Sequence, residues 1–296
     1  MIKVGTKDII DIRLGDTAVK AVYLGSDKVW EKNKPVYQLY MNGGSGSVKI
    51  NGNTVNLTQK GSDYYLSGFT DTVTSFKDMF DGSGSARIST FDFNTSSTGV
   101  VLDGMFANCT VSITYINPFK GLKVLTANGF VYGNSQVQNI DLDMSECTSI
   151  NDFVTDSHTP SIWFRNDWDM GKVRTINRLL NYTNSQDVIG NTTIDISNWN
   201  LSSLRQFTMG DLYCTNLNQD WLTLKLGTGF FSSDYCSRWD FSGVRAHVWK
   251  NIGDLATMLP TITTAKTIVL NADTQTTLTS EQYNAITAKG WTISNS

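Results

Sequence analysis

Asp143-Met144-Ser145-Glu146-Cys147-Thr148-Ser149-Ile150 aligns without gaps on Asp169-Met170-Gly171-Lys172-Val173-Arg174-Thr175-Ile176, 26 residues later. A third copy, Asn200-Leu201-Ser202-Ser203-Leu204-Arg205-Gln206-Phe207, follows after 31 more. The residue ahead of each copy is apolar: Leu142, Trp168 and Trp199. That shared position places Trp168 and Trp199 in the core. Downstream, Ile150/Phe153/Val154 and Ile176/Leu179/Leu180 fall at i, i+3 and i+4, the spacing of one helical face. Upstream, Met79-Phe80 and Met105-Phe106 mark equivalent helix ends 26 residues apart. Strand-like pieces precede these marks: Phe91-Asp92-Phe93, Tyr115-Ile116, Ile140-Asp141-Leu142 and Ile194-Asp195-Ile196.

A period of 23 to 31 residues with one short strand and one short helix per unit describes a leucine-rich-repeat solenoid. The expected fold class is therefore β-rich α/β, with the strands of residues 70–227 parallel in one sheet. Such units cannot bury their apolar side alone and must stack. The other segments read as a small N-terminal all-β attachment module (1–34), a β-hairpin unit (35–69), and C-terminal repeats with a cap (228–296). In the module, Arg13-Leu14-Gly15-Asp16-Thr17-Ala18-Val19 is echoed ten residues later by Tyr23-Leu24-Gly25-Ser26-Asp27-Lys28-Val29. Each copy is β-prone around a Gly-plus-polar turn, which predicts consecutive hairpins. Trp30 closes the module and Lys32-Asn33-Lys34-Pro35 reads as a linker. In the second segment, Val48-Lys49-Ile50 and Val55-Asn56-Leu57 flank Asn51-Gly52, a hairpin signature. Gly43-Gly44-Ser45-Gly46-Ser47 lacks the Gly-Lys-Ser/Thr ending of a phosphate loop.

Composition narrows the function classes. Of 296 residues, 40% are hydrophobic and 17% charged, with 24 Gly and 4 Pro. A disordered polyelectrolyte, a collagen and a coiled coil are excluded. A net charge of −3 gives no general pull toward nucleic acid or anionic membrane. No run is long and apolar enough to insert in a membrane. The head, Met1-Ile2-Lys3-Val4-Gly5-Thr6, lacks the apolar stretch of a secretory signal. Cys109, Cys147, Cys214 and Cys236 never form C-x-x-C, so they read as buried thiols rather than zinc ligands. No metal or other cofactor is expected. Asp141-x-Asp143-x-x-Glu146 and Asn166-Asp167-x-Asp169-x-Gly171 resemble calcium-loop fragments but lack the distant Glu, and read as turn-capping carboxylates. His158 has no G-x-S-x-G context, and His247, between Val244 and Trp249, reads as a packed ring. No catalytic residue is assigned, and the chain is not read as an enzyme. Trp163, Trp221, Trp239 and Trp249 have no repeat alignment. They are candidate ligand-binding aromatics, because an exposed cluster would signify an interaction surface.

Phe91-Asp92-Phe93 through Met105-Phe106-Ala107-Asn108-Cys109 is similar to the BspA-type leucine-rich repeats of bacterial surface proteins, a likeness covering about residues 70–227. Trp168-Asp169-Met170 and Trp199-Asn200-Leu201 resemble one step of that pattern. The tail resembles the family's terminal unit: Thr267-Ile268-Val269-Leu270, Leu278-Thr279-Ser280-Glu281-Gln282 and Ala288-Lys289-Gly290-Trp291-Thr292-Ile293. Its physical reading is a strand, a helix capped by Thr279 with Gln282, a Gly290 stop and a final strand. The head, around Asp11-Ile12-Arg13-Leu14-Gly15-Asp16 and Val22-Tyr23-Leu24, resembles the N-terminal module of phage tail, baseplate and fibre proteins. Together these resemblances imply a phage virion structural protein, made in the host cytoplasm. Residues 1–34, with Arg13, Leu14, Tyr23, Leu24 and Trp30, would attach it to other virion proteins. The repeats would present a surface to a host-surface glycan or protein, in a homo-oligomer of which a trimer is one form. The alternatives are a bacterial surface adhesin and a polysaccharide-degrading spike.

Overall fold

The structure is a computed structural model. It describes residues 3–4, 7–8, 13–14, 17–18, 21–24, 27–31, 36–113, 119–132, 141–155, 165–185, 192–214, 222–246 and 248–295. The chain divides into two compact units, Met1–Tyr37 and Gln38–Ser296. In the first, Lys3–Val4 pairs antiparallel with Lys7–Asp8, Arg13–Leu14 with Thr17–Ala18, and Ala21–Leu24 with Asp27–Glu31. The tandem pattern thus forms consecutive hairpins, as its Gly-plus-polar turns predict. The linker at 32–35 lies outside the described residues.

The second unit begins with antiparallel structure. Ser47–Ile50 pairs with Asn53–Asn56 around Asn51 and Gly52, both at positive φ (52° and 77°). Two left-handed residues in a two-residue loop match the twist of the flanking strands. Tyr37–Gly43 pairs antiparallel with Gly84–Phe91, which is itself parallel to Cys109–Ile113. The segment expected as a separate hairpin unit therefore shares a sheet with the residues that follow it.

The aligned motif folds the same way in its three copies. Asp143, Asp169 and Asn200 each accept, through Oδ1, the backbone N–H two residues on, at 3.0, 3.0 and 3.1 Å. The next apolar residue closes a four-residue turn: Cys147 N–H donates to Met144 O, Val173 to Met170 O and Leu204 to Leu201 O. Met144, Met170, Leu201, Cys147, Val173 and Leu204 are all buried. A short Asx side chain that bonds its own backbone explains why the motif opens on Asp or Asn.

The helix expected after each motif is corrected. Ile150, Phe153, Val154, Ile176, Leu179 and Leu180 are buried as their spacing requires, but the chain there runs through a turn at 151–152 and the short strands Val154–Thr155, Thr175–Asn177 and Leu180–Ser185. Asp152 and Arg178 stand at φ 49° and 58°, and a left-handed residue ends helical winding. It swings the next two apolar residues into the same core, so the spacing mimics a helix face. Among the described residues, helix occurs only between Ile252 and Ala288.

The strands pair in parallel with a segment later in the chain, as expected, but in several ladders rather than one sheet. The first runs from a bridge at Ser75–Val101 through Leu122–Thr126, bridges at Thr126–Ser149 and Ser149–Thr175, then Thr175–Asn177, Gln206–Thr208, Arg238–Phe241, Lys266–Leu270 and Trp291–Asn295. The second joins Phe106–Ala107, Val131–Tyr132, Val154–Thr155, Leu180–Ser185 and Leu212–Cys214. A further pair, Thr192–Ile196 with Leu222–Leu226, bridges on to Trp249. One continuous apolar core, from Leu39 to Ile293, lies between them. Rings of Phe80, Phe106, Phe130, Phe153, Trp168 and Trp199 contact one another in sequence, centroids 5.2 to 6.1 Å apart. This rich-in-strand, poor-in-helix body is β-rich, with its helices gathered near the C-terminus.

The tail follows its sequence closely. Thr279 caps the helix Ser280–Ala288 in a capping box with Gln282, Gly290 follows at φ 90°, and Trp291–Asn295 pairs parallel with Lys266–Leu270. Two ammonium groups, that of the buried Lys266 and that of the half-buried Lys289, tie this region together. Lys266 Nζ donates to Phe231 O (3.2 Å) and Ser233 O (2.8 Å), and Lys289 Nζ to Ala256 O (2.6 Å) and Leu259 O (2.7 Å). Each cation satisfies carbonyls at chain turns, which is how a buried ammonium is tolerated.

Candidate functional site

Register along the first ladder sorts its side chains by face. Ile176, Phe207, Trp239, Ile268 and Ile293 occupy one inward column, all buried. Ser149, Thr175, Gln206, Arg238, Thr267 and Thr292 stand beside them on the outward face, whereas Thr126, which pairs with Ser149, keeps its hydroxyl buried. Parallel strands in register repeat about every 4.8 Å, so this face is a regular array of polar groups.

A second polar column runs two residues further along. Asp103 Oδ1 accepts from Asn128 N–H (2.8 Å) and Nδ2 (3.1 Å). Asn128 Oδ1 accepts from Asn151 N–H (2.9 Å) and Ser149 Oγ (2.6 Å), and Asn151 Oδ1 from Asn177 N–H (2.8 Å). The steps are 25, 23 and 26 residues. The residue after each is left-handed: Gly104, Gly129, Asp152 and Arg178. Sequence reading missed this column, although its signal was present as Asp103-Gly104, Asn128-Gly129 and Asn151-Asp152 ahead of apolar pairs. Chemically, the face offers fixed hydroxyl and amide groups suited to hydrogen-bonding a polar surface.

Searches for related proteins found no family model, no curated protein and no solved structure that matches the chain. Trp239 and Trp249 are corrected: they are 0% and 1% exposed and are core residues. Trp239 pairs in register with Phe207 and packs on Phe230 and Phe231, and Trp249 packs on Phe241. The repeat position of Trp239 was hidden because its spacing from Phe207 exceeds the earlier steps. Trp168 and Trp199 are buried and stacked, centroids 5.9 Å apart, as their shared motif position predicts. Trp163, Trp221, His158 and His247 lie outside the described residues. So do the side chains of Arg13, Leu14, Tyr23, Leu24 and Trp30, whose backbone forms the hairpins described above. Among the described residues the exposed aromatics are Tyr132, Tyr235 and Tyr283, of which Tyr235 stands out furthest at 70%.

The calcium-like fragments have other partners. Arg165 bridges Asp141 (2.7 Å) and Asp167 (2.6 Å), and Lys172 binds Glu146 (2.5 Å). Asp143 and Asp169 hold the turns described above. Among the described residues, no group of three or more His, Cys, Asp or Glu side chains gathers as a metal site. No helix there is long and apolar enough to cross a membrane.

Cys109, Cys147 and Cys236 are buried, and burial pushes the Cys147 thiol up to about 12 and the Cys236 thiol up to about 11. The thiolate is the reactive form. Iodoacetamide at neutral pH should therefore leave Cys147 and Cys236 unmodified in the native protein and label both in denaturant, read by peptide mass mapping. Labelling at equal rates in both states would contradict their burial.

The Asp195 carboxyl is held below its ordinary 3.8 by the Ser197 hydroxyl, against partial burial, with help from Ser197 N–H and Lys225. A depressed carboxylate stabilises the fold fully above its unfolded value and loses that contribution as pH falls through the lower folded value. Asp195→Ala should thus lower the urea midpoint at neutral pH by a margin that shrinks as pH falls below the ordinary carboxylate value. A margin unchanged by acid would remove the carboxylate as its source.

Proposed function

We propose that this chain is a phage virion structural protein (a fibre, spike or baseplate component) acting as a homo-oligomer. In this reading residues 1–34 attach it to other virion proteins. The parallel ladders are the turns of a leucine-rich-repeat solenoid of the BspA type, and their outward polar columns face a host-surface glycan or protein. The observation that carries the reading is a division of labour. A unit of consecutive short hairpins precedes a body whose ladders repeat one polar face over many rungs. A module of about 31 residues is small for a core of its own and gains stability by docking. The repeating body keeps a constant core while its surface can vary. This role requires no catalytic step.

Deleting residues 1–34 tests the assignment. The remaining chain should stay soluble and melt cooperatively, because the body carries a continuous apolar core of its own. A phage whose gene is replaced by the truncated version should yield particles lacking the protein on gels. Packaging at normal copy number would move attachment to the body. Absence of the full-length chain from purified particles would end the virion reading.

A further inference from the structure

Most arginines of the described body are neutralised. Arg165 is paired with Asp141 and Asp167, Arg178 with Asp152, Arg238 with Asp240 and Arg245 with Asp273. Arg174 and Arg205 differ. Both are exposed, and neither has a carboxylate partner among the described residues. Arg87 shares this lack but stands on the Gly84–Phe91 strand, in a different sheet.

Arg174 and Arg205 are also neighbours. Arg205 N–H donates to Arg174 O at 2.8 Å, and the adjacent Thr175 and Gln206 are paired in register. In-register residues of parallel strands project to the same side, one rung of about 4.8 Å apart. Two like charges so placed repel each other and weaken the ladder. The column has a neutral solution on either side, since Thr148 precedes Arg174 with the same backbone bond, and the pairing of Phe207 with Trp239 puts Ser237 level with Arg205. The Arg205 guanidinium lies 5.8 Å from the ring centroid of Tyr235. At that distance the ring attracts the cation, whose planar fork of N–H donors can still meet a carboxylate. An exposed aromatic face with two uncompensated guanidinium groups offers stacking and bidentate carboxylate recognition together.

We propose that Arg174, Arg205 and Tyr235 form a subsite for an acidic polysaccharide, the guanidinium groups taking the carboxylates of uronate residues and Tyr235 taking a sugar on the side of its ring opposite Arg205. The bound anion relieves the repulsion that the free protein carries. This deepens the host-glycan half of the reading above and rests on it only for its biological setting.

The test uses the purified full-length chain with polygalacturonate as probe and neutral dextran as control, at low and high salt. Wild type should bind polygalacturonate and not dextran, and should weaken as salt rises. Arg174→Thr and Arg205→Ser, which copy the neighbouring rungs, should each lose about tenfold or more in affinity. They should melt at or above the wild-type temperature without ligand. Arg205→Lys should keep part of the affinity, because it retains charge but not the planar fork. Absent binding by wild type, equal binding of dextran, or unchanged affinity in both variants overturns the subsite. Binding that is competed only by a protein ligand and not by polyuronate also overturns it. Particle incorporation is measured separately on the same variants. Glycan binding by a chain that never enters particles leaves the subsite standing and removes the virion setting. Incorporation without glycan binding does the reverse.

Discussion

Trp199→Ala should lower the unfolding free energy by about 3–5 kcal/mol, the usual loss for truncating a buried aromatic and leaving a cavity. The ring is 0% exposed, stacks on Trp168 at 5.9 Å and donates its Nε1–H to Arg165 O at 2.8 Å. The hydrogen bond, which is half-buried, adds a second effect, since its loss removes the Arg165 carbonyl's indole donor. Trp199→Phe keeps the ring contact and loses the donor, so it should fall between wild type and alanine. Guanidinium melts at matched protein concentration provide the measurement. An unchanged midpoint for the alanine variant would place the ring in solvent and undo the alignment of the three motifs.

Gly210→Val should cost a comparable amount, about 3–5 kcal/mol, by a different route. Gly210 has φ 98°, a conformation that a β-branched residue resists. A Cβ added there would stand 2.1 Å from Leu180 O and 3.1 Å from Arg178 Cα. Both neighbours are backbone atoms of the preceding turn, so no side chain can move aside. Gly82 has a positive φ as well but open space around its missing Cβ. Gly82→Val therefore isolates the backbone term and should cost markedly less. Equal losses for the two variants, by thermal melts, would show that the close approach at Gly210 is not what matters.

The sequence was most legible where chemistry is local. The Asn51-Gly52 turn, the Thr279 and Gln282 cap and the tandem hairpins near Arg13 and Tyr23 all depend on residues within a few positions of one another. The repeat motif was legible because its Asx turn and two buried apolar residues are fixed in spacing. The helix expectation after it failed for a physical reason. An i, i+3, i+4 pattern records which side chains share a core, and a left-handed corner at Asp152 or Arg178 achieves that without a helix. Trp239 and Trp249 were misjudged because parallel register depends on how many residues each turn contains. That number varies from turn to turn, so the partner of Phe207 could not be counted off. Arg174 and Arg205 were visible as letters of the motif. Their adjacency and lack of carboxylates exist only in three dimensions.

The column of Asp103, Asn128, Asn151 and Asn177 has a direction. In each link the side-chain acceptor belongs to the earlier turn and the backbone donor to the later one. A turn just made by the ribosome thus meets an acceptor already in place, and in settling presents its own to the turn not yet synthesised. The links span only 23 to 26 residues, so none waits for a distant part of the chain. Such a body can assemble at the pace of translation, from the amino end forward, with one growing edge. A chain stalled in mid-synthesis would then carry a finished fold behind that edge and, beside the edge's open backbone N–H groups, one unfilled side-chain acceptor of this column upon it.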